Sequence, residues 1–596
     1  MNSLLLAAVG VAMILAGYFL YSKFLAEKIY ALDDSIPTPA HQLEDGIDYV
    51  PTNKYVLWGH HFTSVAGAAP IVGPAIAVIW GWVPAFLWVT IGTVFFAGMH
   101  DMGALWASIR NKGQSIGALS GRYIGARGRN LFLVVIFLLL LMVNAAFSVV
   151  IANLLVSTPT AVIPTWGALL VAVLVGQAIY RFKWNLPLVS VVGVVALYTL
   201  ILIGDSNPLA LPETMMGLPD RSVWIILLFV YAGIASMLPV WMLLQPRDYI
   251  NGLQLFIALG ILYVSVLIAR PEIVAPAFNS SPPEGTPSII PLLFVTIACG
   301  AISGFHGMVS SGTSSKQLDK ESDARFVGYF GAVGEGLLAL GSIIATTAGF
   351  ATLTDWEATY NAFGQGGVVA FVQGGGTIIE QGIGLPQSLS ATIMATTAIL
   401  FAATTMDTGV RLQRFVVQEI GEIMGVSLGK IVATVIAVGV ALALTFGAGA
   451  DGSGGMLIWP LFGTTNQLMA ALTLSILAIM LMRRRRSPLP ALIPLVFVAF
   501  MTLYAAVIQL GTFWDTQNWL LLVIDVVIIV AAVWVIVEAV SAMRTARDYP
   551  GDDDAELREL SVAQIAIGLD SPAPHEDTDA GHHHQRHRGD QPPTRD

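Results

Sequence analysis

Long apolar runs alternate with short polar connections along almost the whole chain, and the runs are close to the roughly 20 residues that a helix needs to cross a bilayer. They lie at Leu4–Tyr21, Val65–Trp80, Trp82–Met99, Leu131–Val156, Ala161–Tyr180, Pro187–Gly204, Val223–Leu244 and Gly252–Ala269. Others follow at Ile289–Met308, Val327–Ala351, Leu389–Thr408, Ile431–Phe446, Leu457–Met482, Pro490–Leu510 and Trp519–Val540. The pattern predicts an all-α polytopic membrane protein with about 15 transmembrane spans. The first run has no basic leader and no small-residue cleavage site, so it reads as a retained helix and not as a signal peptide. Gly364–Glu380, with its Gly-Gly and Gly-Gly-Gly runs, reads as an outer loop or re-entrant segment.

Charge in the connections orients the spans. Arg110, Lys112, Arg122, Arg127 and Arg129 share one loop, and Arg181, Arg247, Lys316, Arg411 and Arg483 to Arg486 mark others that all fall on one side of the membrane. Asp205–Asp220, Glu272–Glu284 and Asp355–Glu380 have no Lys or Arg between those limits. The positive-inside rule then puts the N-terminus outside and the C-terminus in the cytoplasm. Composition agrees with the class: of 596 residues, 55% are hydrophobic and 11% charged, with mean hydropathy +0.73. The net charge of -10 comes largely from the tail and the loops, and nucleic acid is not a suggested partner. The single cysteine, Cys299, sits in an apolar run and reads as a small buried hydrophobe. Past residue 543 the chain turns polar, and 544–596 reads as a disordered cytoplasmic tail whose His582-His583-His584 cluster binds metal incidentally at most.

The run at Val65 departs from an ordinary span. Gly67, Pro70, Gly73 and Pro74 fall within eight positions, so a broken helix is expected. Freed backbone groups at membrane depth are tolerated only where protein or a water-filled cavity satisfies them, which makes the break a candidate binding site. The run Tyr231–Trp241, with Gly233, Ser236 and Pro239, is expected to be interrupted as well. Two five-span units, 58–204 and 223–409, each opening on an interrupted helix and of opposite orientation, predict a five-plus-five inverted-repeat (LeuT-like) transporter core with extra helices. Around it, 1–57 forms an N-terminal helix and connecting segment, and 410–543 forms additional C-terminal helices.

The blocks Gly59-His60-His61-Phe62 with Gly67–Pro74, Gly98-Met99-His100-Asp101, Ser303–Thr313 with Lys316, and Leu461–Leu468 resemble the carbon starvation protein A (CstA) family over about Leu4 to Val540. The resemblance implies a permease of the bacterial or archaeal inner membrane, induced by nutrient limitation. It implies proton-driven uptake of pyruvate or uptake of peptides.

The chemistry of the residues fits a small anion. A half-helix starting after the break, from Ile71, would present unpaired N–H groups worth about 0.3–1 kcal/mol to an anion at a surface and up to about 2 kcal/mol when partly buried. Thr63 and Ser64 add hydroxyl donors beside Gly67, Ala68 and Ala69. Ser236 and Trp241 are the corresponding candidates from the second segment, and Trp80 is a further wall or an interfacial anchor. Proton coupling needs a group that changes charge inside the membrane. His306 is the first candidate because its ordinary pKa lies near working pH, with Ser310 and Ser311 as neighbouring oxygens and His100, Asp101, Glu335 and Asp407 as further titratable groups. His60, His61 and Lys316 are candidate gate residues. Asp407 with Arg411, and Lys316 with Asp319, also admit local ion pairs.

A channel would need a filter or charged ring, which nothing here marks. A sensor would have to act through a partner. The sequence has no nucleotide cradle, kinase set or H-E-x-x-H motif, so no cofactor, metal or enzyme activity is expected. Sodium remains an alternative to the proton, and pyruvate, another monocarboxylate and a peptide remain alternative cargoes.

Overall fold

The computed structural model describes residues 2–46, 48–238, 242–447, 449 and 454–548. The histidine cluster and the rest of the tail from residue 549 lie outside the described residues, as does Trp241. Among the described residues 13 helices are long and apolar enough to cross a membrane, and one further pair is bent by 47° at a short break.

In chain order, α1 spans Ser3–Ile29, and the bent pair is α2, Lys54–Ala66, with α3, Ala69–Trp80. Next come α4, Trp82–Ile109, a short α5, Ile116–Tyr123, and α6, Arg127–Ser157, α7, Pro159–Ile179, and α8, Leu186–Ser206. Then follow α9, Asp220–Met237, α10, Leu244–Ala269, and two short helices, α11, Ile289–Thr296, and α12, Gly304–Gly312. The rest are α13, Arg325–Ala348, α14, Gly367–Ile383, α15, Gln387–Ile423, α16, Lys430–Gly447, α17, Leu457–Arg483, α18, Leu489–Asp515, and α19, Trp519–Ala546. The loop between α8 and α9 holds a two-residue β-hairpin, Thr214–Met215 paired with Leu218–Pro219.

Local chemistry sets several helix starts. Asn2, Asn53, Asn185 and Asn518 each cap a helix by accepting from a backbone N–H of its first turn, the usual role of a short polar side chain there. Asn53 explains why α2 begins at Lys54, well before the apolar run at Val65: polar residues can be helical once the terminus is capped, and hydropathy alone does not register them.

Burial sorts the helices into an inner set and a rim. In α17, 94% of the apolar window is buried, in α13 and α15 89%, and in α6 83%, against 28% for α8 and 33% for α1 and α19. The rim helices expose their large apolar side chains, as expected where the solvent is lipid. Inside, α3 packs on α13 while α12 packs on α4, α2 packs on α10 while α12 packs on α17, and α6 packs on α9 while α15 packs on α16. Helix α6 also lies along α15, and the hairpin α18–α19 packs against α17.

Polar connections gather at two ends. At one end Arg110 binds Glu321 at 2.7 Å, Asp319 meets His41 at 2.9 Å and Arg486 binds the Tyr30 carbonyl. Lys54 lies 3.7 Å from Asp323 there; burial pushes the Asp323 carboxyl up, and Lys54 partly offsets this. At the other end the Ser3 hydroxyl donates to the Pro271 carbonyl at 2.6 Å and Ser388 donates to Asp205 at 2.5 Å.

Three expectations change. Ile289–Met308 is not one continuous helix but α11 and α12, separated by non-helical residues 297–303. Tyr231–Trp241 is not broken at Gly233 or Ser236, since α9 runs through both to Met237; Pro239 lies outside the described residues. Of the two readings of Gly364–Glu380, outer loop or re-entrant segment, the loop gives way to a helix, α14, packed on α10, α13 and α15 and not among the helices long and apolar enough to span. A Cβ on Gly376 would meet the Ala391 backbone N at 3.1 Å, so the glycines serve close helix approach. The boundaries at 57/58, 409/410 and 543/544 fall inside α2, α15 and α19.

Candidate functional site

The first break is made by Gly67. Its φ of 54° and ψ of -159° end α2 in an essentially glycine-only conformation that costs a residue with a side chain roughly 1–3 kcal/mol, and a Cβ there would sit 2.5 Å from the Thr405 hydroxyl and 3.0 Å from the Phe147 ring. The second half-helix starts at Ala69, not at Ile71, and Ile71 and Val72 already bond back to the Ala68 carbonyl at 3.0 and 2.9 Å. Thr63 donates to the Gly59 carbonyl at 2.8 Å and faces Gly252 of α10; Ser64, Ala68 and Ala69 are buried. Trp80 is anchored at the far end of α3, where its Nε1 donates to the Pro287 carbonyl at 2.9 Å, and it does not wall this break. Ser236 donates to the Gly233 carbonyl of its own helix at 2.8 Å.

The second break, between α11 and α12, is held by side chains. Asn466 of α17 accepts from the Phe305 N–H at 3.0 Å and from the Ser303 hydroxyl at 3.2 Å. Trp88 donates to the Ile297 carbonyl at 3.1 Å, and Thr93 to the Gly300 carbonyl at 3.3 Å. The sequence block around Gly463 thereby acquires a purpose: Asn466 completes an interrupted helix some 160 residues upstream.

Beside the second break, from which α12 starts at Gly304, lies a buried string of titratable groups. His100 Nδ1 is 2.7 Å from Asp101 Oδ1, and the other carboxylate oxygen, Oδ2, is 2.8 Å from His306 Nδ1. His306 Nε2 lies 3.1 Å from Glu335 Oε2, within ion-pair distance but outside hydrogen-bond alignment. All four residues are at most 1% exposed. They come from α4, α12 and α13, and Gly307 lets α12 approach the His100 ring, 3.1 Å from where its Cβ would be. His61 sits beside them, its Nδ1 2.8 Å from the Ser314 hydroxyl. Ser311 is spoken for: it donates to the Gly307 carbonyl at 2.7 Å and accepts from the Ile116 N–H at 2.9 Å. The buried Ser310 hydroxyl has no hydrogen-bond partner.

A second buried network was not anticipated. Asp407 does not pair with Arg411 but with Arg247, and the Tyr231 hydroxyl donates to Asp407 Oδ2 at 2.6 Å. Arg247 also binds Asp248 at 2.9 Å, and His60 Nδ1 is 4.0 Å from Asp248. Arg411 and Arg414 instead donate to the carbonyls at the end of α9, Leu238 and Ser236, both at 2.7 Å, where cations complement the helix dipole. Lys316 lies over the Tyr49 ring at 5.2 Å, so the pair with Asp319 does not form. The lone cysteine, Cys299, is free and buried.

Comparison with known proteins places this geometry in context. The family model described as carbon starvation protein CstA matches residues 2–360 and 348–505. The peptide transporter CstA of Campylobacter jejuni is 32% identical over 575 residues, covering 85% of this chain and 79% of that protein. That of Escherichia coli K12 is 30% identical, covering 85% and 80%. The pyruvate/proton symporter BtsT of Escherichia coli K12 is 34% identical over 359 residues, 58% of this chain and 49% of that protein. Among solved structures, a manganese transporter of Eremococcus coleocola aligns with TM-score 0.49 and 12% identity, covering 85% of this chain and 99% of that one.

Proposed function

The chain belongs to the carbon starvation protein CstA family, and from that membership we propose that it imports small carboxylates such as pyruvate, or peptides, by proton symport across the inner membrane during carbon starvation. It is a multi-pass membrane transporter and not an enzyme. The observation that carries the coupling assignment is the sealed string His100–Asp101–His306–Glu335, because ionisable groups buried at membrane depth are retained for function. His306, between two carboxylates, is the group we assign to the driving proton.

The proposal includes a five-plus-five core, with its halves redrawn from the helix contacts. In it, the first half is α2–α3, α4, α6, α9 and α10, with α7 and α8 inserted; the second is α11–α12, α13, α15, α16 and α17. Each half opens on an interrupted helix, and the contacts of the first half recur in the second. Counting each interrupted helix as one crossing gives an odd number, so the termini lie on opposite sides, with the basic connections inside. Cysteine at Gln365 should then react with an impermeant maleimide from outside, and cysteine at Arg485 only after the membrane is opened; both positions are exposed. The reverse pattern overturns the orientation.

The function itself is tested by uptake of labelled pyruvate and labelled dialanine into proteoliposomes with proton and sodium gradients imposed separately. Accumulation driven by the proton gradient supports the proposal. Accumulation driven only by sodium transfers the coupling to hard oxygen ligands such as Ser310, and accumulation of neither compound removes the cargo assignment.

A further inference from the structure

Arg247 is buried, 1% exposed, in a protein whose expected cargo carries a carboxylate. Its guanidinium is shared by two carboxylates: Nη2 binds Asp248 at 2.9 Å, while Nη1 binds Asp407 and the Tyr231 hydroxyl at 2.9 Å. One cation thus faces two anions out of contact with water. Asp407 is held by one oxygen, Oδ2; its other oxygen, Oδ1, is buried with no hydrogen-bond partner, so the pair lacks the full satisfaction that makes a buried ion pair stable.

The location fits a cargo site. Asn251, four residues and therefore about 6 Å further along α10, donates to the Thr404 hydroxyl at 3.2 Å. The next residue, Thr405, touches Gly67 at the first break, and Gly252 touches Thr63. Arg247 and Asp407 therefore lie about one helical turn from the break. The other charged groups around them are committed: Arg411 and Arg414 to main-chain carbonyls of α9, and His60 to Asp248 at 4.0 Å. A carbonyl cannot be neutralised by a proton, whereas a carboxylate can. Of the three arginines, Arg247 is the one whose partners a proton can neutralise.

We infer that Arg247 receives the cargo's carboxylate and that Asp407 is its internal stand-in when the transporter is empty. The step balances in charge. A proton adds to Asp407, Nη1 of Arg247 gives up that partner, and the incoming carboxylate accepts the guanidinium N–H groups in its place. The proton on Asp407 offsets the charge of the arriving anion at the site, and Asp248 keeps its own contact throughout. Arg247 suits the task because its planar fork pairs with a carboxylate in two places, which lysine cannot do. The inference rests on the proposed function above, since it needs a carboxylate cargo.

Equilibrium binding to the purified full-length transporter tests it, with labelled pyruvate set against pyruvamide and dialanine against dialaninamide; the acid that binds identifies the source of the carboxylate. The wild-type protein should bind its acid about 10- to 100-fold more tightly than the amide, the worth of charge-assisted hydrogen bonds, and about tenfold more tightly for each unit the pH falls while one proton is linked to binding. Asp407→Asn should bind as tightly as the wild type at low pH and keep that affinity at every pH. Arg247→Gln should bring acid and amide within about twofold of each other, in line with the lost charge. The double variant Arg247→Gln/Asp407→Asn leaves neither of the two charges stranded; it should match Arg247→Gln and elute as a single species. An unchanged pH slope in Asp407→Asn, or an unchanged acid-to-amide ratio in the double variant, overturns the inference and leaves the proposed function standing. A wild-type protein that binds neither acid and accumulates neither under a proton gradient overturns the proposed function instead.

Discussion

Proteoliposomes containing His306→Gln should lose pH-driven accumulation of substrate while keeping substrate counterflow. A one-unit pH gradient is worth about 1.36 kcal/mol per proton, about tenfold in accumulation for a carrier that moves one proton with each substrate. The variant should fall to the level of vesicles with no gradient. Glutamine keeps much of the size of the ring and can still meet Asp101, which lies 2.8 Å from His306 Nδ1, but it cannot take up a proton. Counterflow needs no net gradient and so separates coupling from recognition. Binding should retain its pH dependence, because that property is assigned to Asp407, whereas passage of the driving proton across the membrane is assigned to His306. A histidine kept only for packing predicts a different result, in which yield, counterflow and accumulation fall together. If His306→Gln accumulates substrate with the unmodified pH profile, His306 is not the proton site, and Glu335, 3.1 Å from its Nε2, is the next residue to test.

The residues of this string were readable one at a time in the sequence, because an ionisable side chain in an apolar run stands out against its neighbours. That His100, Asp101, His306 and Glu335 meet was not readable: they lie on three helices up to 235 positions apart, and hydropathy carries no information about pairing. The break at Gly67 was legible from the density of glycine and proline around it. The break at 297–303 was not, since hydropathy reads Ile289–Met308 as one predominantly apolar run and what holds it open is Asn466, supplied from α17. Arg247 was read as a marker of a cytoplasmic connection because it sits at the edge of an apolar run. Asp248 is its chain neighbour, but Asp407 is 160 positions away, and only the fold turns a loop charge into a buried group.

Leucine in place of Gly67 or Gly73 should abolish transport while leaving membrane insertion intact, and the two substitutions act on opposite ends of the same packing. At Gly67 the backbone itself resists, because φ is 54°, and the space is closed by the Thr405 hydroxyl at 2.5 Å and the Phe147 ring at 3.0 Å from a Cβ. At Gly73 φ is ordinary, and the obstacle is main chain: a Cβ would stand 2.5 Å from the Thr296 carbonyl oxygen and 3.2 Å from the Ile297 Cα. Those two atoms lie at the start of the second break, so Gly73 is where one interrupted helix rests on the other, and backbone cannot swing aside as a side chain can. Overpacking of this kind typically costs about 1–3 kcal/mol. Alanine should therefore produce a graded loss at both positions, and leucine a complete one, measured as initial uptake rate per unit of protein that elutes as a single species. Gly59→Ala is the contrast, since nothing lies within 4 Å of a Cβ there, and its uptake should stay within about twofold, the scale of a surface change. Uptake that survives Gly73→Leu would mean that the two interrupted helices move independently and that the close contact between them is not part of the transport cycle.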